Sequence, residues 1–198
     1  MAEATGAALV PVDILMVGVG GQGIILASKI LAHAARTVGY DIKVSEIHGM
    51  AQRGGSVVTQ VRLGERVYSP LIPEGEADII LAFEQLEALR WLEYVKGGGT
   101  IIVNSQVIYP VPVLAGMAQY PENIIAHLSR RAHTLVVDAL DKALECGNAR
   151  AANVVLLGSL ARRMPIPLSY WLSAIEDCVP ARYLEVNRAA FQSGYALC

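Results

Sequence analysis

Charge is scarce in this sequence. Only 17% of its 198 residues are Asp, Glu, Lys or Arg, while 54% are hydrophobic; a typical soluble domain is about 25% charged. So apolar a chain does not stay disordered. The formal net charge is −2, which gives no purchase on a polyanion and argues against a nucleic-acid partner. Long hydrophobic runs are also missing. The longest, Ile14–Gly21 and Val154–Ala161, are about eight residues each, against the roughly 20 a membrane span needs, so no membrane partner is expected. The opening MAEATGAALVPVD has no basic start and no apolar stretch to make a signal peptide. Cysteine is sparse: Cys146, Cys178 and Cys198, with no CxxC pair. That count fits three inert thiols in a reducing cytoplasm and carries no local signature for zinc or an iron–sulfur cluster.

What is present is enough apolar material for one domain spanning residues 1–198, which at this size buries roughly 70% of its unfolded surface. The apolar excess has two readings: a deep core covered on both faces, or surface that another chain covers. Residues 1–11 read as a flexible N-terminal extension. From Asp13 the chain opens as a short apolar strand, a glycine turn at 18–23, and a helix over Ile24–Val38 stopped by Gly39. A second strand is expected at Ile42–Ile47, a polar glycine-bearing loop at His48–Gly55, and an alternating strand at Ser56–Leu63. A turn at Gly64-Glu65 and a short returning strand at Arg66–Ser69 complete a β-hairpin insertion after the second strand. The α/β pattern then resumes. It predicts a strand at Ala77–Phe83, a helix at Glu84–Val95 broken by Gly97–Gly99, a strand at Thr100–Asn104 and an irregular segment at Ser105–Tyr120. A helix at Pro121–Arg131, a strand at Thr134–Asp138 and a short helix at Ala139–Cys146 follow. Asn148 is placed to cap a helix over Ala149–Met164 that is apolar nearly all round, hence buried. Helices at Ser169–Cys178 and Arg182–Tyr195 close the chain. The fold class is a three-layer α/β/α arrangement with a largely parallel, mixed sheet and a helical C-terminal third.

Gly18-x-Gly20-x-x-Gly23 matches the dinucleotide fingerprint, and Glu46 lies where an acid could hold a ribose. Three readings stay open for this turn: a nicotinamide or flavin site in a stand-alone oxidoreductase, a site for another ligand's phosphate at the helix N-terminus, or a tight turn serving the fold alone. The P-loop reading fails, because Ile24-Ile25 stand where Lys and Ser/Thr are required. The second cluster, His48-Gly-Met-Ala-Gln-Arg-Gly-Gly55, puts an imidazole, an amide and a guanidinium in a loop beside the glycine turn. Arg53 could grip a phosphate or carboxylate, or it could secure a loop or an interface. His33, His127 and His133 share no metal-ligand spacing. Glu84 and Glu87 suit the start of a helix, and Trp91 and Trp171 suit a core or an interface. No GxSxG, HExxH or paired acids are present, so no catalytic residue and no metal ligand is assigned.

Five segments recur in order: GVGGQGIILASKIL, SEIHGMAQRGGSVVTQVRLG, EADIILAFEQLEALR, NVVLLGSL and LEVNRAAFQSGY. Together they resemble the gamma-type subunit or domain of the 2-oxoacid:ferredoxin oxidoreductases, over residues 13–195. The second segment is most similar to the indolepyruvate-type branch; pyruvate- and oxoglutarate-type relatives tend to carry a tyrosine- and proline-containing stretch before the equivalent arginine. The resemblance implies a complex that decarboxylates an arylpyruvate oxidatively with coenzyme A and reduces ferredoxin. Another 2-oxoacid (2-oxoglutarate, pyruvate or a branched-chain acid) is the alternative substrate. It also implies that thiamine diphosphate, Mg2+ and iron–sulfur clusters reside on a large alpha subunit and none on this chain. Gly18, Gly20, Gly21, Gln22 and Gly23, with His48, Gln52, Arg53, Gly54 and Gly55, would then contact the partner, or a phosphate of coenzyme A or of the cofactor. An isolated chain would be inactive and would self-associate, as a homodimer.

Overall fold

The computed structural model describes residues 9–48 and 54–197, with the backbone alone for His48. One mixed sheet of six strands, ordered β2-β3-β1-β4-β5-β6, runs through the molecule. Its strands are β1 (Val12–Val19), β2 (Asp41–His48), β3 (Ser56–Gly64), β4 (Ala77–Ala82), β5 (Val95–Asn104) and β6 (His133–Val137). β1 pairs in parallel with β4, β4 with β5, and β5 with β6. Only β3 runs against the rest, antiparallel to β1 on one side and to β2 on the other. The expected α/β class, with a largely parallel mixed sheet, is thus the observed one.

Helices cover both faces. β1 lies at the centre, and its side chains alternate between two cores, as a strand's must. Ile14 and Met16 enter the core shared with α1 (Ile24–Val38), α5 (Ala139–Glu145), α6 (Ala152–Ala161), α7 (Leu168–Cys178) and α8 (Leu184–Tyr195). Leu15 and Val17 enter the core under α2 (Gln85–Arg90) and α4 (Ile124–Arg131). The all-apolar helix is as buried as its composition predicts: Asn153 through Ala161 are all buried. Trp171 is fully buried and its ring lies 6.0 Å from that of Phe191 on α8. Trp91, half-buried, packs on Tyr94.

α6 and α8 touch backbone to backbone. A Cβ added at Gly158 would lie 2.1 Å from the Phe191 carbonyl oxygen, and one added at Gly194 would lie 1.8 Å from that of Val155. Ser159 Oγ donates to the Gly194 carbonyl at 3.1 Å across the same crossing. The glycines of NVVLLGSL and FQSGY are therefore packing requirements. Small residues let two helix axes approach, and a methyl here has no room in an interior of crystal-like density.

Several expectations are corrected. Arg66–Ser69 forms no strand. Both edges of β3 are taken along its length by β1 and β2, so a returning strand has no partner. The hairpin is β2–β3, paired from Asp41–Gly64 to His48–Val57. Instead the chain after Gly64 is tied down by Asp41, whose Oδ2 accepts from the Val67 N–H at 2.8 Å. The helix after β4 is shorter than expected. It ends at Arg90, and a 3-10 turn over Leu92–Tyr94 leads into β5 at Val95. Gly97–Gly99 do not break the chain; they lie within β5, where the register against β4 shifts between Ala77 and Ile79. Gly98 takes a φ of +80° there. Within Ser105–Tyr120 the chain forms one short helix, α3 (Val111–Leu114). The helix expected from Ala149 starts as a 3-10 turn, with Asn148 Oδ1 accepting from the Arg150 N–H at 3.0 Å.

Candidate functional site

The two glycine-bearing motifs meet at one end of the sheet. The Gly18–Gly23 turn leaves the C-terminal end of β1, and Gly54-Gly55 lead into β3 beside it. The Gly20 N–H donates to the Gly55 carbonyl at 2.8 Å, and the Gly54 N–H to the Gly20 carbonyl at 3.4 Å. The expected convergence is therefore present in the backbone. Gln52 and Arg53 lie outside the described residues, as does the side chain of His48.

Gln22 organises the turn. Its Oε1 accepts from the Val19 N–H at 2.7 Å, and its Nε2 donates to the Phe83 carbonyl at 2.8 Å and to Gln106 Oε1 at 3.2 Å. One side chain thus ties the end of β1 to the end of β4 and to the segment after β5. Gly18 must be glycine because Gln22 folds back so closely: a Cβ there would lie 2.7 Å from Gln22 Oε1 and 2.8 Å from the Phe83 Cβ. Gly23 caps α1 in the left-handed region at φ +81°. A Cβ there would also lie 2.5 Å from Asn153 Nδ2, which donates to the Gly23 carbonyl at 3.1 Å.

Asn153, 4% exposed, is thus a prop for the turn from 130 residues away in sequence. The turn lies between two clefts. One, of about 570 Å³, is lined by Val19–Ile25 and Val57. The other, of about 620 Å³, lies towards Asn104, Gln106, Arg150 and Asn153. α1 has no side-chain cap and no acidic residue in its first turn, so no side chain of its own first turn competes with a phosphate or carboxylate for its N-terminal amides.

The geometry argues against a ribose at Glu46. β3 is inserted between β1 and β2, so the strand bearing Glu46 is not the neighbour of β1 that the dinucleotide arrangement needs. Glu46 Oε1 instead accepts from Ser28 Oγ at 3.2 Å. His33, expected to be an ordinary histidine, pairs with Asp177 at 3.2 Å on the α1–α7 seam. Cys178 lies 3.9 Å from its Nδ1, and burial pushes that thiol's pKa up, as for an unreactive cysteine.

Two carboxylates on α2 are more than helix-starting charges. Glu84, 1% exposed, caps α2 by accepting from the Glu87 N–H at 3.0 Å; it also accepts from the Ile108 N–H at 3.1 Å and Tyr120 Oη at 2.7 Å. The Tyr120 hydroxyl is pushed well above the ordinary tyrosine range by burial and by this carboxylate. Glu87 is buried too, with Ser56 Oγ at 2.5 Å and Arg90 Nε at 3.2 Å. Sequence reasoning missed the role of both, and of Asn153. The available signal was position: Glu84 follows the end of a parallel strand, where α/β sheets build their sites.

Burial raises the pKa of Glu87, opposed by its bonds to Ser56 and Arg90. A carboxyl whose folded pKa lies above its unfolded value contributes stability that is present at low pH and lost as pH rises through the folded pKa. Glu87→Gln is therefore expected to melt at or above the wild-type temperature at pH 7, with the difference shrinking as the pH falls through the carboxyl range. A clear loss of melting temperature at pH 7 would contradict that sign.

Residues 13–197 match the family model described as pyruvate ferredoxin/flavodoxin oxidoreductase. The chain is 44% identical over 188 residues to indolepyruvate oxidoreductase subunit IorB of Pyrococcus horikoshii, covering 92% of this chain and 93% of that one. It is 28% identical to 2-oxoglutarate synthase subunit KorC of Methanothermobacter thermautotrophicus, covering 93% and 94%. Among solved structures it is similar to the keto/oxoacid ferredoxin oxidoreductase gamma subunit from Geobacter sulfurreducens. That match has a TM-score of 0.72 at 26% identity and covers 94% of this chain and 97% of that one. Among the described residues no helix is long and apolar enough to cross a membrane. The chain belongs to the pyruvate ferredoxin/flavodoxin oxidoreductase family.

Proposed function

We propose that this chain is the small subunit of an indolepyruvate-type 2-oxoacid:ferredoxin oxidoreductase acting in the cytoplasm. The complex converts an arylpyruvate, coenzyme A and oxidised ferredoxin into the aryl-acetyl-CoA, carbon dioxide and reduced ferredoxin. The observation that carries this reading is the 44% identity to IorB over nearly the full length of both chains, against 28% to KorC. Thiamine diphosphate with Mg2+ and the iron–sulfur clusters belong to a large alpha subunit in this reading. Among the described residues no three His, Cys, Asp or Glu side chains stand close enough to hold a metal. The two buried carboxylates on α2 are already committed, Glu84 to three donors and Glu87 to Ser56 and Arg90, so they do not suit a metal–diphosphate site.

The part this chain plays is to complete the partner's site. Its Gly18–Gly23 turn and the adjoining His48–Gly55 motif contact the partner subunit or a phosphate of coenzyme A. The open clefts around that turn and the uncapped start of α1 support this. The apolar excess supports a covering partner: Val111, Leu114 and Met117, all on the segment after β5, are each more than 70% exposed, in a stretch from Ser105 to Pro121 that holds no charged residue.

Anaerobic affinity purification from native cells is expected to bring down a large thiamine diphosphate and iron–sulfur chain, while the isolated subunit is colourless, inactive and dimeric by size exclusion. A lone protein that binds NADH saturably would overturn this reading. In the complex, Arg53→Ala is expected to lower activity about tenfold or more while leaving the subunit's melting temperature within a few degrees. A melting loss with no separate effect on activity would make Arg53 structural.

A further inference from the structure

Glu87, on α2, faces Ser56 at the start of β3. Its side chain is 6% exposed, and its Oε2 accepts from Ser56 Oγ at 2.5 Å. Ser56 pairs with Val19 at the last step of the β1–β3 ladder. The residue before it, Gly55, accepts the Gly20 N–H, and Gly54 donates to the Gly20 carbonyl. A continuous path of contacts therefore runs from the Glu87 carboxylate through Ser56 and Gly55 to Gly20, the middle of the turn. A small cleft of about 250 Å³ opens beside it, lined by Gly54, Ser56, Glu84, Glu87, Arg90 and Pro110 among others.

Folding alone does not account for this carboxylate. Ser56 is exposed and could hydrogen-bond water. Burying a carboxylate costs free energy even when it is paired. Two charged groups face Glu87 among the described residues, Arg90 and Glu84, both from α2 itself. β3 supplies only the neutral Ser56, and the segment at Ile108 and Pro110 brings no charge. Groups retained at a cost to stability cluster where geometry must be held for function.

We propose that Glu87 is a positioning residue for the Gly18–Gly23 turn, acting through Ser56 to fix the turn for its ligand or partner. The inference rests on the reading of that turn as a functional contact, and the test separates the two. In the purified complex with its partner subunit, the KM for coenzyme A and kcat are measured for Glu87→Ala, Ser56→Ala, the double variant, Glu87→Gln and Gly21→Ala. Gly21 has a φ of +102°, which an alanine strains, and nothing within 4 Å of an added Cβ, so that variant perturbs the backbone of the turn itself without a clash.

Glu87→Ala and Ser56→Ala are each expected to raise the KM for coenzyme A about tenfold with a smaller change in kcat. The double variant should do no worse than either, since the two residues act as one unit. Glu87→Gln, which keeps an acceptor for Ser56, should stay within about threefold of wild type and melt no lower. A merely structural pair would lower the melting temperature and kcat and leave KM unmoved, and that result, or additive effects in the double variant, overturns the proposal. If Gly21→Ala raises KM and Glu87→Ala and Ser56→Ala do not, the proposal fails and the reading of the turn stands. If Gly21→Ala also leaves KM unmoved and co-purifies with the partner subunit in wild-type yield, that reading fails with it.

Discussion

Gly194→Ala is expected to lower the melting temperature by roughly 10 °C. The new methyl would lie 1.8 Å from the Val155 carbonyl oxygen and 2.7 Å from its carbon. Neither is the end of a flexible side chain, so relief requires α8 to move off α6. That movement would open the core where Leu156, Leu160, Phe191 and Trp171 are packed with almost no exposure. A loss of about 4 kcal/mol or more is expected, in the range reached only by overpacking or its equivalents. For a chain of this size that corresponds to roughly a 10 °C drop in melting temperature, against a total stability of about 5–15 kcal/mol. Gly158→Ala, whose methyl would lie 2.1 Å from the Phe191 carbonyl oxygen, should behave alike. Circular dichroism melts and soluble yield decide it: a Gly194→Ala protein melting within about 2 °C of wild type would show that the helices can separate cheaply.

Glu84→Ala should act on one segment before it acts on the whole molecule. The carboxylate gathers the Ile108 N–H, Tyr120 Oη and the Glu87 N–H. Losing it removes an N-cap, worth about 1 kcal/mol, and leaves two further donors unmatched at about 1–3 kcal/mol each. Partial exposure of Ile108 and Tyr120 lets water offset part of this. The net expectation is a loss of about 3 kcal/mol, with Ser105–Tyr120 freed from the body of the domain. The segment has no Lys or Arg but does contain Tyr109, Leu114, Met117 and Tyr120, so chymotrypsin and not trypsin reports on it. Faster chymotryptic cleavage there, with the Glu84→Gln variant intermediate, is the expected result. Wild-type melting and unchanged cleavage would mean the segment is held by its apolar contacts alone.

The opening strand, the glycine turn and the helix over Ile24–Val38 were legible because each is specified locally: an apolar run, residues tolerant of close approach, and a glycine in the left-handed region to stop the helix. The burial of α6 was legible from its all-round apolarity. The two glycine-bearing motifs could be placed side by side because loops at one end of a sheet converge whatever their detail.

Pairings between distant segments could not be read that way. Alternation marks Ser56–Gly64 as a strand but does not say which strands flank it, and that choice removed both Arg66–Ser69 as a strand and Glu46 as a neighbour of β1. Gly97–Gly99 looked like a stop and became part of β5, because neighbouring strands supply hydrogen bonds that override weak local preference. Glu84 and Glu87 read from the sequence only as carboxylates suited to a helix start. Their burial depends on Tyr120, Ile108 and Ser56 arriving from elsewhere in the chain. Local chemistry determined which elements this protein has. Only the tertiary structure decided which donor meets which carboxylate and which glycine meets which backbone, because those contacts join residues whose separation in sequence carries no information about their separation in space.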